Sequence, residues 1–229
     1  MRAAGQPGRA RAPVGFAASF AVALAMALVL ACSAGQARAT TAQDWTFRVL
    51  LDNRPIGQHR FSVVGDADER VVTSAADFAV KILGLTAYSY HHRATERWHG
   101  DCLTELTANT EDDGRASSVH SEKSGDTLRV VTDEAAQSLS GCVMSFAYWN
   151  PALRGQDKLL NAQTGKVVAV QIQDVGSGTI EVHGHDTPAQ QFRIRGAATA
   201  IDVWYSPSGE WVGLDATVAG GHHLSYRLP

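Results

Sequence analysis

Two stretches decide the fold: VTSAADFAVKI, residues 72–82, and YSYHHRATERW, residues 88–98. In the first, Val72, Ser74, Ala76, Phe78, Val80 and Ile82 alternate with Thr73, Ala75, Asp77, Ala79 and Lys81. In the second, Tyr88, Tyr90, His92, Ala94, Glu96 and Trp98 alternate with Ser89, His91, Arg93, Thr95 and Arg97. Successive side chains of a strand point to opposite faces, so a period of two over this length predicts two long strands with one buried face each. Gly84 lies between them and predicts a turn.

The same pattern extends outward. Turn signals recur at Asp52-Asn53-Arg54-Pro55, Gly65-Asp66, Asp112-Asp113-Gly114, Ser124-Gly125-Asp126, Thr164-Gly165, Gly176-Ser177-Gly178, Pro207-Ser208-Gly209 and Gly220-Gly221. They predict strands near 44–52, 56–64, 69–82, 86–98, 102–110, 115–123, 126–132, 166–174, 179–184, 190–195, 199–205, 210–217 and 222–228, of which one or two are expected to be loops. The expected class is all-β: an antiparallel meander forming a curved sheet, half-barrel or sandwich. Residues 133–161 lack alternation. They hold Cys142, Phe146, Tyr148, Trp149 and Asn150-Pro151 and are expected to form an aromatic loop with a short helical turn. That loop is either a plug over one end of the core or a lid over a ligand cavity.

The first 39 residues read as a secretory signal peptide, and 40–229 as a single β-rich domain. Arg2, Arg9 and Arg11 form a positive start, residues 16–30 are an uncharged apolar run, and Ala37-Arg38-Ala39 is a small-x-small cleavage signature. The apolar run falls short of the ~20 residues of a membrane span, so no span is expected after processing. An alternative cut precedes Cys32, because Val29-Leu30-Ala31-Cys32 resembles a bacterial lipobox; the product would be a membrane-anchored lipoprotein. The leader carries four of the 20 basic residues and none of the 23 acidic ones. Its removal leaves 16 against 23, a formal charge of −7, which argues against nucleic acid as a partner. Processing after Ala39 also removes Cys32 and leaves Cys102 and Cys142. In an oxidising periplasm such a pair is expected to form a disulfide; the alternative is two buried thiols.

Four runs carry a family resemblance: WTFRVLLDNRPIGQHRF (45–61), LGLTAYSYHHRATERWHGDCL (83–103), CVMSFAYWNPALRGQDKLLNAQTG (142–165) and VWYSPSGEWVGL (203–214). Through them the chain resembles a group of exported proteobacterial proteins known as domain of unknown function 6134. The resemblance implies an exported β-domain without assigned activity, and it brings no catalytic residue with it.

Candidate chemistry is sparse. His183-Gly184-His185 would place two imidazoles on one face of a regular strand, a spacing metal sites use, although Gly184 and Pro188 suggest that part of this stretch is loop. His91-His92 and His222-His223 are adjacent pairs whose members point to opposite faces. Glu96 falls on the face that carries Tyr88 and Tyr90; it needs either a cation, with Arg60 and Arg93 as candidates, or a raised pKa. There is no Gly-x-Ser-x-Gly elbow, and Gly176-Ser177-Gly178 lacks the lysine and helix of a phosphate loop. Trp98, Trp149, Trp204, Tyr205, Trp211 and Tyr226 are expected in the core.

The leading expectation is therefore a non-enzymatic periplasmic or envelope protein that binds a lipid or another apolar small molecule. Phe146, Tyr148, Trp149, Tyr88 and Tyr90 are its candidate ligand or lid residues, and no cofactor is expected. The alternatives are a metal-dependent or hydrolytic enzyme and a structural module that pairs through a strand edge. The sequence carries no signal for oligomeric state.

Overall fold

The computed structural model describes residues 41–82 and 85–229. The leader, both cleavage readings and Cys32 lie outside the described residues, as does the Gly84 turn. The strands among the described residues are β1 (Thr41–Leu51), β2 (Arg54–Gly65), β3 (Glu69–Ile82), β4 (Leu85–His99) and β5 (Cys102–Asp112). They continue as β6 (Arg115–Ser124), β7 (Thr127–Thr132), β8 (Ala136–Ser140), β9 (Lys158–Leu160) and β10 (Val167–Ala169). The last five are β11 (Gln171–Val182), β12 (His185–Arg195), β13 (Ile201–Tyr205), β14 (Trp211–Thr217) and β15 (His223–Arg227). All but β9 and β10 join one sheet in the order β11-β12-β13-β14-β15-β1-β2-β3-β4-β5-β6-β7-β8. It is an antiparallel meander in which β1 and β15, from opposite ends of the domain, lie side by side. The edges are β8 and β11, and residues 141–170 cross from one to the other.

The alternation sets which side of this sheet is the core. Along β4, Tyr90, His92, Ala94, Glu96 and Trp98 are buried, while His91, Arg93, Thr95 and Arg97 are exposed. Trp45, Phe47 and Val49 do the same on β1. One apolar cluster then draws on Leu128 of β7, Trp98 of β4, Phe47 of β1 and Ile194 of β12, all fully buried. A flat sheet could not bring strands so far apart in its order into one cluster, so the sheet must curl around its inner face. At the C-terminal end it curls onto itself: Val182 of β11 bridges Leu228, beyond the end of β15. Gly213 of β14 makes room for this, since a Cβ there would stand 2.4 Å from Ile180 Cδ1.

Several hairpins are set by local chemistry. Asp52-Asn53, Asp113-Gly114 and His183-Gly184 all take positive φ at both residues and join directly paired strand ends. That is the type I′ turn, whose twist matches the strands it connects.

The structure corrects three sequence readings. The strands expected at 166–174 and 179–184 are not separated by a turn at Gly176-Ser177-Gly178. They form β10 and one long strand β11, in which the register shifts between Asp174 and Gly176. The glycines supply a bulge, with Gly176 at φ +116°, and a close approach: a Cβ on Gly178 would lie 3.0 Å from the Trp204 ring. The strand expected at 190–195 begins earlier, at His185. Pro188 is tolerated because this part of β12 pairs with β11 alone. Residues 133–161 do contain a short 3-10 turn, Pro151–Gly155, which Asn150 caps by accepting from Ala152 N. They also contain edge strand β8 and strand β9, which the lack of alternation hid.

Candidate functional site

The crossing segment, 141–170, lies on the inner face of the sheet and is tied there at separate points. Cys142 is bonded to Cys102 at the start of β5. Asn150 Nδ2 donates to Asp101 Oδ1 at 2.9 Å, and Tyr205 OH donates to the Tyr148 carbonyl at 2.8 Å. Trp149 meets Trp98 edge to face at 5.4 Å, with the Arg70 guanidinium 5.0 Å from its centroid. Leu153, Leu159 and Leu160 of the segment are themselves fully buried. Each such side chain contributes roughly 1.5–3 kcal/mol relative to exposure. The segment is thus part of the core, held by the disulfide and by the buried leucines of its 3-10 turn and of β9.

It does not fill the trough completely. Between it and the inner face of β2–β4 is a partly open cavity of about 330 Å³. The segment contributes Phe146, Tyr148 and Trp149 on one side, with Asn161, Ala162 and Gln163. The sheet contributes His59 and Phe61 from β2, Val72 and Ser74 from β3, and His92, Ala94 and Glu96 from β4. Ala197, Ala198 and Thr199, between β12 and β13, complete a third side with Ile201. Ligand cavities combine apolar walls with placed polar groups, and both are present here in comparable measure.

The polar groups converge because of the strand period. His59 lies on β2 in phase with Phe61 and Val63, so an imidazole stands on an apolar face. Its Nε2 is 2.7 Å from Ser74 Oγ and its Nδ1 is 3.3 Å from Tyr226 OH. Burial pushes its pKa down to about 3, and nearby His92 and Arg93 act in the same direction. His92, 4% exposed, pairs through Nδ1 with Thr110 Oγ1 at 2.9 Å. Burial, with help from Arg93, lowers it to about 4. Both imidazoles are therefore neutral near pH 7.

Glu96, 9% exposed, behaves in the opposite way. Burial pushes its carboxyl up to about 7, against hydrogen bonds from Ser145 and Trp98 that favour the charged form. The Trp98 indole donates to Oε2 at 2.9 Å. The arginines considered from sequence are not its partners. Arg93 projects from the other face of β4, where it binds both oxygens of Asp77 at 2.9 Å, and Arg60 likewise alternates outward, exposed on β2. The odd-even offset along β4, and the outward phase of Arg60 on β2, put both guanidiniums on the opposite face of the sheet from Glu96.

Of the five aromatic ligand candidates, Phe146, Tyr148 and Trp149 line the cavity. Tyr90 lies on the same sheet face, stacked on Phe78 at 5.3 Å, and Tyr88 is beside Asp112; neither lines the cavity. His183 and His185 do not share a strand face. His183 sits in the β11–β12 turn at φ +52°, and its Nδ1–H donates to the Pro229 carbonyl at 2.6 Å. Val182 pairs with His185 across that turn, so the two imidazoles flank a reversal of the chain. Among the described residues no three His, Cys, Asp or Glu side chains gather as a metal site would require. Sequence reasoning missed His59, Ser74 and Ser145. The available signal was a polar residue in phase with an apolar face, at 59 with Phe61 and at 74 with Val72.

A family profile described as domain of unknown function 6134 matches residues 47–229. The chain belongs to this family. No curated protein matches it. Among solved structures, a β-barrel-like protein of domain of unknown function DUF1849 from Brucella abortus is similar. The likeness has a TM-score of 0.59 at 12% identity, over 84% of this chain and 97% of that one. At that identity the likeness speaks for the shared fold, a strongly curved antiparallel sheet. The DUF6134 domain here is thus a β-rich domain whose core includes its own crossing segment.

Proposed function

We propose that this DUF6134 protein is a binding domain for a small, largely apolar ligand and that it works outside the cytoplasm. The observation that carries the binding reading is the cavity beneath the crossing segment. Its size is that of a small-molecule site, and its walls combine aromatic rings with a few polar groups held on rigid strands. The test is native mass spectrometry of the purified domain with a panel of lipids and small amphiphiles, beside thermal shifts. Retained ligand, lost on Ala162→Trp with the fold intact, supports it. A bare mass and no shift across the panel sinks it.

The export part rests on the leader pattern and is supported by the Cys102–Cys142 bond, since disulfides persist in oxidising compartments. The intact mass of the mature N-terminus distinguishes a chain cut after Ala39 from one lipidated at Cys32.

The Ser74–His59 contact favours a second reading, ester hydrolysis in the same cavity with Ser74 as nucleophile. It ranks below binding because an imidazole lowered to about 3 is a weak general base at neutral pH. Turnover of short chromogenic esters that disappears in Ser74→Ala would reverse the order.

A further inference from the structure

We infer that the cavity takes an organic ammonium group, with Glu96 as its counter-charge and Phe61, Phe146, Tyr148 and Trp149 as the aromatic walls around it. This rests on the cavity being a binding site and names the chemistry of what it binds.

The first ground is the carboxyl itself. Glu96 lines the cavity, and its hydrogen-bond donors are an indole and a hydroxyl, from Trp98 and Ser145. Neither brings a charge. A carboxylate offers about four acceptor sites, so two donors leave room for a third. Buried carboxylates ordinarily meet a cation, and the nearby guanidiniums are engaged elsewhere. Arg93 is held by Asp77 on the far side of the sheet, and Arg70 by Gly100 O and Asp101.

The second ground is what surrounds the carboxyl. His59 on β2 and His92 on β4 are neutral above about pH 5, with pKa values near 3 and 4. Tyr148, on the crossing segment, is pushed up by burial and stays uncharged. The side chains contributed between 161–163 and 197–201 do not titrate. Arg70 stands against Trp149, with its charge turned to Asp101 and the Gly100 carbonyl. The cavity therefore offers one titratable negative group and no competing internal cation. Aromatic faces attract organic cations through their quadrupoles, and Trp149 already holds a guanidinium in this way. An anionic ligand would oppose ionisation of Glu96, and a neutral one would leave a proton as its only counter-charge, whereas an ammonium compensates the ionised form directly.

The ammonium could belong to a free alkylamine or to a lipid headgroup; the carboxylate and rings read the same chemistry in both. The probes are hexyltrimethylammonium, hexanol and hexanoate, matched in tail and kept monomeric, titrated against Trp fluorescence at constant salt. The expected order is ammonium tightest and hexanoate weakest, with roughly tenfold between the ammonium and the alcohol. Glu96→Gln keeps an acceptor for Trp98 and should erase that preference. Ammonium binding to the wild type should tighten roughly tenfold or more from pH 5.5 to 8.5 as Glu96 ionises, and in Glu96→Gln it should not. Equal or tighter hexanol binding, or an unchanged ammonium preference in Glu96→Gln, overturns the inference while leaving the cavity as a binding site. No binding of any probe removes both. With the preference established, pelleting with phosphatidylcholine vesicles assigns the ammonium to a headgroup, and retention in the supernatant assigns it to a free amine.

Discussion

At the C-terminal end of the sheet, strand packs on strand: Ile180 of β11 reaches the bare Cα of Gly213, and Ile194 and Val203 are fully buried beside it. Elsewhere the inner face meets the crossing segment, whose backbone turns repeatedly between 141 and 170 and whose Tyr148 and Arg154 also reach Tyr205, Trp211 and Phe192. Two regular surfaces interdigitate closely and leave little space. An irregular segment on a regular surface must satisfy its own backbone, so it is held off by hydrogen bonds and leaves a gap. The cavity, the buried carboxyl and the two lowered histidines all fall on the irregular side. One sheet is thus close-packed where strand meets strand and leaves a cavity where the crossing segment meets it.

The largest expected effect tests the packed end. Ile194→Ala should cost about 2–5 kcal/mol in urea unfolding, because the surrounding strands cannot collapse into the void. Ligand or probe binding in the cavity should persist under native conditions; if it vanishes, the two ends are not separable.

Next comes the disulfide, which fastens the loop-covered end. It closes a loop across a separation of 40 residues. Its removal by Cys102→Ser with Cys142→Ser should cost about 3–4 kcal/mol on the chain-entropy account. Hydrogen exchange should rise in 141–165 while β12–β14 keep their protection. A uniform rise would mean that the crossing segment is no separate unit.

The pH dependence is of similar or smaller size and separates groups within the site. Glu96 has a folded pKa of about 7 against an ordinary 4.5. The folded state therefore holds the extra proton, and stability contributed by Glu96 falls as pH rises from about 4.5 to 7 and is level above. The loss is on the order of 3 kcal/mol. His59 and His92 slope the other way. Their folded pKa values lie below the ordinary 6.5, so their contribution is present above that value and lost as pH falls towards 4 and then 3. Glu96→Gln should thus be more stable than the wild type at pH 8 and nearly equal to it at pH 4.5, by thermal melts in matched buffers. Equal stability at pH 8 would show that the carboxyl is compensated after all.

The smallest effect is expected on the outer face, opposite the cavity. Arg93→Ala breaks the exposed pair with Asp77 and should change stability by less than about 1 kcal/mol. A larger loss would mean that the outer face contributes to the site.

Much of the fold was legible because strand periodicity is local. Residues 88–98 announce their buried face without reference to any partner, and the turns at Asp52-Asn53 and Asp113-Gly114 carry their own backbone preference. Glycine was ambiguous for a physical reason. Gly176-Ser177-Gly178 supplies a bulge within β11, while His183-Gly184 supplies a reversal, and both need the same conformational freedom. Strand β8, AQSLS, escaped notice because an edge strand with little burial needs no alternation. In the site, Phe146, Tyr148 and Trp149 stood out as aromatics in an irregular stretch, and Glu96 as a charge on an apolar face. Ser74 and His59 did not, since a serine or histidine in phase with apolar neighbours has many ordinary explanations.

The sequence by itself determined the all-β class and the inward face of the central strands, and it offered Cys102 and Cys142 as a pair. The class and the inward face follow from period, which is a property of the chain alone; the Cys102–Cys142 bond is decided by the fold that brings the two together. Only the tertiary structure decided that β11 rolls onto β14, that Glu96 meets Trp98 and Ser145 rather than an arginine, and that His59 and Ser74 share one cavity. Those meetings depend on sheet curvature and on the path of the crossing segment. Both are set by packing summed over the whole core, which no short stretch of sequence encodes.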